Sequence, residues 1–284
     1  IGIVMSTNES AEHGNVLGRQ TEYVSVYTPS LLCPLAREQS RQTLGLQGGE
    51  LPFRGVDVWT GYELSWLNSK GKPQVAVAEF QVPANSLNII ESKSFKLYLN
   101  SFNQTRFSGL SDIAKTLESD LSTAAGAPVM VVVQPLSKAV QHGVGHFVGE
   151  SIDELDVEID SYRPDAGLLR LNSPEVLVRE SLYSDLLKSN CPVTGQPDWA
   201  SVCVSYHGPK IDRESLLKYI VSFREHQDFH EHCVERMFVD IESRCKPLSL
   251  SVYARYTRRG GLDINPFRTN VDDDLPLDVR LVRQ

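Results

Sequence analysis

The 284-residue sequence lacks three patterns that would assign it to a protein class at once. Its longest apolar run, residues 128–133, is far shorter than the roughly 20 residues that a membrane-spanning helix needs. No Gly-x-Gly-x-x-Gly motif of the Rossmann dinucleotide-binding fold is present. Residues 1–20 lack the basic flank and apolar centre of a secretion signal. We therefore predict a cytoplasmic protein with no membrane partner and no Rossmann site.

Positive charge is also scarce, because 28 Lys and Arg residues face 36 Asp and Glu residues, for a net charge of -8 at pH 7. A net negative protein repels a polyanion unless its basic residues cluster strongly on one face. We expect no direct nucleic-acid partner.

The five cysteines form no Cys-x-x-Cys pair, and an odd number cannot form a complete disulfide framework. This pattern is typical of reduced thiols in the cytosol. A zinc site made of Cys191, Cys233 and one of His226, His230 or His232 is a minor alternative, because the compact paired spacing of structural zinc sites is absent.

What is present is an ordinary globular composition, with 41% hydrophobic and 23% charged residues, and a weak internal repeat. Residues 71–73 (Gly-Lys-Pro) and 195–197 (Gly-Gln-Pro) each open an alternating apolar run. Further on, residues 94–102 match residues 215–223 in Tyr, Ser and Phe, with aliphatic residues between them. We interpret the chain as a gene-duplicated pair of modules, and chance similarity of two strand–turn–helix units is the alternative.

Each copy has the pattern ββααββ, which predicts an α+β fold with paired helices on one face of an antiparallel sheet. In the first copy the predicted strands are 56–67, 75–82, 129–136 and 152–159, and the predicted helices are 92–107 and 112–124. In the second copy the strands are 176–187, 199–207, 248–256 and 277–282, and the helices are 213–226 and 230–244. The predicted organisation is a flexible N-terminus (1–16), an N-terminal module (17–162) and a C-terminal module (163–284).

The most reactive group predicted is Cys191, in a loop of turn-forming residues (190–198) that displays a thiol and does not pack it. Such a thiol becomes a nucleophile when its surroundings favour the thiolate. Asp198, at the far rim of the same loop, is placed to act as a proton donor. From the loop alone, an Asx-turn residue at the start of a strand is the interpretation of Asp198 that we favour.

Three further segments carry polar or charged side chains. His230 and Glu231 open a predicted helix, as pocket-lining residues or as a polar cap. Residues 89–96 end a strand and open another helix, with Ser and Glu capping groups and free backbone N–H groups suited to anions. Residues 258–261 (Arg-Arg-Gly-Gly) form a basic turn able to hold phosphate.

Together, residues 91–105, 191–198, 229–231 and 259–266 resemble the NADPH-dependent 7-cyano-7-deazaguanine reductases, in their longer, bimodular form. The resemblance extends from about Leu17 to the end of the chain. It implies the tunnelling fold, in which two ββααββ modules assemble their sheets into a barrel with sites at module interfaces. It gives no role to the Gly-rich segment from His142 to His146.

The resemblance implies the reduction of a nitrile to a primary amine with two NADPH, in queuosine biosynthesis and without a metal. Cys191 would form a covalent thioimide, Asp198 would protonate the nitrile nitrogen and His230 would supply a later proton. The implied substrate-binding residues are Ile89, Ile90, Glu91, His230 and Glu231. The implied cofactor-binding residues are Ser92, Lys93, Arg259 and Gly260.

Two other functions compete with this interpretation. One is a zinc-dependent cyclohydrolase of the same fold, and the other is a non-catalytic scaffold that binds a purine-like base. For assembly, we expect a homodimer, because two modules are too few to close the barrel and sheet edges need partners.

Overall fold

The computed structural model of the protein describes residues 23–46, 50–139, 143–272, 276 and 279–284. The predicted flexible segment, 1–16, lies outside the described residues, as does His142. The helices are α1 (Arg37–Thr43), α2 (Ser92–Asn100), α3 (Leu110–Ala125), α4 (Leu136–Ala139), α5 (Arg213–Ser222) and α6 (His230–Cys245). The strands are β1 (Pro34–Ala36), β2 (Arg54–Leu67), β3 (Pro73–Pro83), β4 (Asn88–Ile90), β5 (Met130–Gln134), β6 (Val144–Gly145), β7 (Glu150–Ser151), β8 (Leu171–Asn190), β9 (Pro197–Ile211), β10 (Ser249–Tyr256), β11 (Leu262–Thr269) and β12 (Arg280–Leu281).

One eight-stranded sheet runs through the described chain in the order β5-β3-β2-β11-β10-β9-β8-β7. Every neighbouring pair in it is antiparallel except β7 with β8. The pairing of β2 with β11, from Gly61–Leu262 to Arg54–Thr269, joins the N-terminal strands to the C-terminal strands. The predicted α+β class, with an antiparallel sheet, is confirmed.

Strand alternation explains why the long helices pack on one face of this sheet. On β9, Val202 and Val204 point into a core shared with α5 and α6, whereas Cys203 between them lies in a smaller cluster on the opposite face. On β2, Trp59 points into the other large core, which the helices α2 and α3 cover. The sheet therefore carries two helix-covered cores side by side.

Two of the predicted closing strands are wrong. Residues 152–159 form no strand, although their Leu155 and Val157 side chains pack against the core shared with α5 and α6. The prediction failed because an apolar alternation indicates a buried face and not a hydrogen-bonded neighbour. In the predicted strand 277–282, residues 277 and 278 lie outside the described residues, and only Arg280–Leu281 is a strand, paired with β6 and not with the sheet.

The strand that closes the C-terminal half is β11, for which no strand was predicted. It contains Pro266, and proline is uncommon inside strands because it cannot donate a ladder hydrogen bond. Two helices are also shorter than predicted: α2 ends at Asn100, and α5 ends at Ser222 before a 3-10 turn, Phe223–Glu225.

Among the described residues, no helix is both long and apolar enough to cross a membrane.

Candidate active site

The loop between β8 and β9 holds Cys191 in a defined turn. The Cys191 amide donates to the Gln196 carbonyl at 2.9 Å, and the Gly195 amide donates to the Cys191 carbonyl at 2.9 Å. Gly195 has φ +69°, a left-handed conformation that glycine adopts without strain. Cys191 itself is only 9% exposed, so the thiol that was predicted to be displayed is in fact enclosed in a cleft.

The surroundings of Cys191 lower the pKa of its thiol. Burial alone would raise this pKa, but hydrogen bonds from the Thr194 hydroxyl, the Thr194 and Val193 amides and the Arg259 guanidinium together outweigh it. The nucleophilic thiolate is therefore favoured at this position.

Asp198 faces the thiol loop from the first residues of β9 and is 4% exposed. Its Oδ1 lies 2.7 Å from Arg259 Nε, and its Oδ2 lies 3.2 Å from His230 Nε2. Both carboxylate oxygens thus have a side-chain partner, Arg259 or His230, a different arrangement from the Asx turn considered for this residue.

His230 is the first residue of α6, and its ring is held by Tyr256 and Asp198. The imidazole stacks on the Tyr256 ring with centroids 3.7 Å apart and an interplanar angle of 4°. Its Nδ1 is buried and finds no hydrogen-bond partner among the described residues. The stack fixes the ring plane, so that Nε2 points at Asp198.

Glu231 follows on α6 and is 3% exposed. Burial raises the pKa of its carboxyl, and the charge of Asp57 raises it further, whereas Arg37 and His230 act in the opposite direction. The carboxylate forms no ion pair with any residue that the structure describes, and it lines the same cleft as Cys191.

The cleft collects side chains from both halves of one chain. It is lined by Trp59, Ile90, Ser92, Cys191, Pro192, Asp198, Asp228, Phe229, His230, Glu231, Arg259 and Ile264. A second, adjoining pocket is lined by Ser92, Lys96, His230, Thr257, Arg259, Leu262 and Ile264. Because Ser92, His230, Arg259 and Ile264 line both, the two pockets share one wall.

Four of the predicted site residues do not line this cleft. The Glu91 carboxylate caps α2 by accepting hydrogen bonds from the Lys93 and Ser94 amides at 2.9 and 2.7 Å. The Lys93 side chain is exposed, and Ile89 is buried in the pairing of β4 with β1. A side chain at Gly260 would meet Lys96 Cδ at 3.2 Å, outside the cleft lining.

Lys96, Asp228, Phe229 and Trp59 are lining residues that the sequence analysis did not select. A signal for Lys96 was available, because it follows Ser92 by four residues and residues at that spacing share a helix face. The pKa of Lys96 is lowered mainly by burial and further by the charge of Arg259. The charges of Glu91, Asp198 and Cys191 raise it, but by less. Trp59 carried no such signal, since a strand tryptophan is typical of a core.

The described residues contain no group of three or more His, Cys, Asp or Glu side chains that could hold a metal ion. Cys233 lies fully buried in the core beneath α6 and does not join Cys191 in such a group.

Comparison with known proteins places these residues in context. Residues 23–133 match the family model described as nitrile reductase, 7-cyano-7-deazaguanine-reductase N-term, and residues 197–274 match the QueF-like protein model. The apo crystal structure of the archaeosine synthase QueF-Like aligns with 35% of this chain over 96% of its own length, at 20% identity and with a TM-score of 0.30.

Full-length relatives are much more similar. The NADPH-dependent 7-cyano-7-deazaguanine reductase of Dechloromonas aromatica is 56% identical over 96% of this chain and 96% of its own. The protein of the same name from Chromobacterium violaceum is 52% identical over 99% of this chain and 100% of its own, and that from Paraburkholderia xenovorans is 54% identical over 94% and 97%. At this identity and coverage, the chain belongs to the family of NADPH-dependent 7-cyano-7-deazaguanine reductases.

Proposed function

We propose that this protein reduces the nitrile of 7-cyano-7-deazaguanine to the aminomethyl group of 7-aminomethyl-7-deazaguanine with two NADPH, in queuosine biosynthesis. The observation that carries the proposal is a thiol of lowered pKa, Cys191, in one cleft with the paired Asp198 and His230. The names of the relatives supply the substrate and the cofactor.

The first step is covalent addition at Cys191. Its sulfur bonds to the nitrile carbon, and the nitrile nitrogen receives a proton, which gives a thioimide with a C=N double bond. The proton that the thiol loses passes through the Asp198 and His230 pair, whose heteroatoms are 3.2 Å apart, and Asp198 delivers it to the nitrogen.

Later steps need a proton and exclusion of water. When bound in turn, two NADPH molecules would each supply one hydride, the first to the thioimide and the second to the imine that remains after the thiolate leaves. His230 protonates nitrogen in the second half of the reaction, since it lies at the wall shared by the two pockets. The buried side chains around the cleft protect the imine from hydrolysis.

The adjoining pocket has the donors that a dinucleotide phosphate requires. Ser92, Lys93, Arg259 and Gly260 are the proposed ligands of NADPH, and the structure adds Lys96, half-buried between Ser92 and Arg259. A guanidinium and an ammonium group beside a helix N-terminus suit the phosphates chemically.

Glu231 is the proposed anchor of the deazaguanine base, because an ionised carboxylate accepts hydrogen bonds from an amine and a ring N–H. Ile90 contributes the apolar wall of the cleft, and Ile89 supports it from the core. We also assign Glu91 to the base, which requires its carboxylate to turn away from the cap of α2.

We further propose the tunnelling fold with modules 17–162 and 163–284, assembled as a cytoplasmic homodimer. The free state of all five cysteines supports a reducing compartment. Met130 and Val132 of the edge strand β5 are exposed, which favours pairing of that edge with a second copy. Sedimentation at micromolar concentration, with activity followed on dilution, tests the dimer; a fully active species of 31.7 kDa would contradict it.

The test of the function is incubation with 7-cyano-7-deazaguanine alone. We expect a new absorbance and a mass increase equal to the nitrile on the peptide that contains Cys191. The Cys191→Ala variant should lose the adduct and all reduction while still binding the base, because affinity comes from the cleft and reactivity from the thiol. Cys33→Ala, which removes an exposed thiol, is the matched control and should react like the wild type. An adduct that persists in Cys191→Ala would move the nucleophile to another cysteine.

A further inference from the structure

We propose that Arg259 is a catalytic residue of thioimide formation as well as a ligand of the cofactor, because its guanidinium binds the acid partner, Asp198, beside the nucleophile. This inference rests on the proposed function and assigns Arg259 to a step that takes place without NADPH.

The geometry places the Arg259 side chain inside the thiol loop. Its Nε and Nη2 meet the two Asp198 carboxylate oxygens at 2.7 and 3.3 Å, and its Nη1 donates to Gln196 Oε1 at 2.9 Å. The same guanidinium lines the cleft beside Cys191 and lowers the pKa of its thiol. One planar cation therefore contacts Gln196 and Asp198 and faces the thiol of the same loop, and its bidentate contact with the Asp198 carboxylate is specific to arginine.

The backbone of Arg259 is also constrained. Its amide donates to the Leu262 carbonyl at 3.0 Å, closing the turn between β10 and β11. Gly260 and Gly261 follow with φ +57° and +71°, left-handed conformations that a glycine pair adopts easily. The side chain thus projects from a tight turn directly onto the hairpin that carries Cys191.

Among the described residues, no other Arg or Lys pairs with Asp198. The charged or titratable groups that face Cys191 are Asp198 from β9, His230, Glu231 and Asp228 around the start of α6, and Lys96 from α2. Three are carboxyl groups at the cleft, which disfavour a thiolate when ionised, His230 is engaged with Asp198, and Lys96 lies in the adjoining pocket. Arg259 is the guanidinium that lines the cleft beside Cys191.

The negative charge that faces Arg259 moves during the addition step. Before addition the sulfur is an anion and Asp198 carries the proton. Addition to the nitrile turns the sulfur into a neutral thioimide sulfur, and Asp198 gives its proton to nitrogen and becomes the anion. The guanidinium thus keeps one anionic neighbour throughout, and no covalent bond to Arg259 is made or broken.

The experiment measures the reactivity of Cys191 in the full-length, ligand-free protein. Iodoacetamide labelling is followed by peptide mass spectrometry as a function of pH, with exposed Cys33 in the same sample as the internal reference. In Arg259→Gln we expect the midpoint of the Cys191 profile to rise by about one pH unit, so that labelling at pH 7 falls roughly tenfold. Arg259→Lys should be intermediate, and Cys33 should be unchanged in both.

Arg258→Gln is the matched control, since Arg258 precedes Arg259 but lies over the Tyr62 ring at 4.3 Å. It should leave the Cys191 profile as in the wild type. Equal urea midpoints for all variants confirm that folding is intact.

An Arg259→Gln protein with the wild-type labelling profile and the wild-type rate of adduct formation, but weaker saturation by NADPH, would overturn the inference and leave Arg259 as a cofactor ligand only. A wild-type protein that forms no adduct with the nitrile would instead contradict the proposed function, because labelling reports the contact between Arg259 and Cys191 without any substrate.

Discussion

The two helix pairs are held together by the same hydrogen bond, although their sequences match weakly. In the N-terminal half the Tyr98 hydroxyl on α2 donates to Asp120 Oδ2 on α3 at 2.6 Å, and in the C-terminal half the Tyr219 hydroxyl on α5 donates to Asp240 Oδ2 on α6 at 2.7 Å. The hydroxyls of Ser101 and Ser222 donate to the carbonyl of the respective tyrosine, both at 2.6 Å. These matching contacts support the similarity of the two helix pairs that the sequence repeat indicates.

The two halves differ in the turn of their first hairpin and at the start of their second long helix. In the N-terminal hairpin, Asn68 Oδ1 accepts hydrogen bonds from the Lys70 and Lys72 amides and so closes a plain turn. The equivalent turn in the C-terminal half holds Cys191. Likewise α3 begins with polar and half-buried residues, whereas α6 begins with the buried pair His230 and Glu231. The N-terminal half thus has structural residues at these ends, and the C-terminal half has reactive ones.

The largest expected effect is on chemistry at the second hairpin. Asp198→Asn should slow thioimide formation by about 10²- to 10⁴-fold, because the nitrile nitrogen loses its proton donor. The measurement is the rate of absorbance change with the nitrile alone. Gln74 holds the corresponding position after Gly71-Lys72-Pro73, so Gln74→Asn is the matched control and should react normally. A normal rate in Asp198→Asn would return this residue to a structural role.

The junction between the halves gives the next effect. Glu235 on α6 is fully buried and pairs with Arg41 and Arg268 at 2.7 and 2.9 Å. Glu235→Gln leaves buried Arg41 without its carboxylate partner and Arg268 with Asp57 alone, at 2.7 Å, and we expect the free energy of unfolding to fall by roughly 3–5 kcal/mol. The measurement is the urea midpoint at an unchanged m-value.

The sixth residue of α6 is Glu235, and the sixth of α3 is the exposed Lys115. Lys115→Gln should therefore change the free energy of unfolding by less than about 0.5 kcal/mol. Equal effects of the two substitutions would show that the ionic cluster does not join the halves.

A smaller effect separates the two equivalent tyrosines. Tyr219→Phe and Tyr98→Phe each remove a hydrogen bond to a carboxylate, worth about 1.5–3 kcal/mol. Asp120 keeps a second donor, the Tyr27 hydroxyl at 2.7 Å, whereas no other hydroxyl of the described chain donates to the Asp240 carboxylate. We expect Tyr219→Phe to destabilise more than Tyr98→Phe in matched urea titrations. The reverse order would contradict this interpretation.

The smallest effect depends on pH. Burial alone would raise the pKa of Asp228, but hydrogen bonds from His226, His232 and the Phe229 amide outweigh it and lower that pKa well below its usual range. A carboxyl whose folded pKa is lowered stabilises the protein above its unfolded pKa, and this contribution is lost as pH falls towards the folded value.

Asp228→Asn should therefore reduce the free energy of unfolding by about 1 kcal/mol at pH 7, and the deficit should shrink as pH falls below about 4. Urea titrations of wild type and variant at pH 7 and pH 3 measure it. A deficit that is the same at both pH values would show that the charge of Asp228 is not responsible.

Much of the fold was predictable because burial periodicity is local. The strands at 56–67 and 199–207 and the helices at 112–124 and 230–244 lie within the observed elements, since alternation and helical spacing report which face is apolar. The prediction failed at 152–159 and at β11, where the question was which strand pairs with which. The spacing of residues along a segment does not indicate whether or with which strand it pairs.

The candidate site shows the same division. Cys191, Asp198, His230, Glu231 and Arg259 were selected from the sequence, and the structure brings all five into one cleft. The enclosure of the thiol was missed, because loop composition indicates exposure but not what packs over the loop.

By itself, the sequence determined the residue types of the site and the α+β class, because these depend on chemistry and spacing within a few dozen residues. Tertiary structure alone decided that β2 pairs with β11 and that Arg259 reaches Asp198. It also turned the Glu91 carboxylate to the cap of α2. Such contacts join residues far apart in the chain, or choose between two partners of one side chain, and both depend on the complete packing of the molecule.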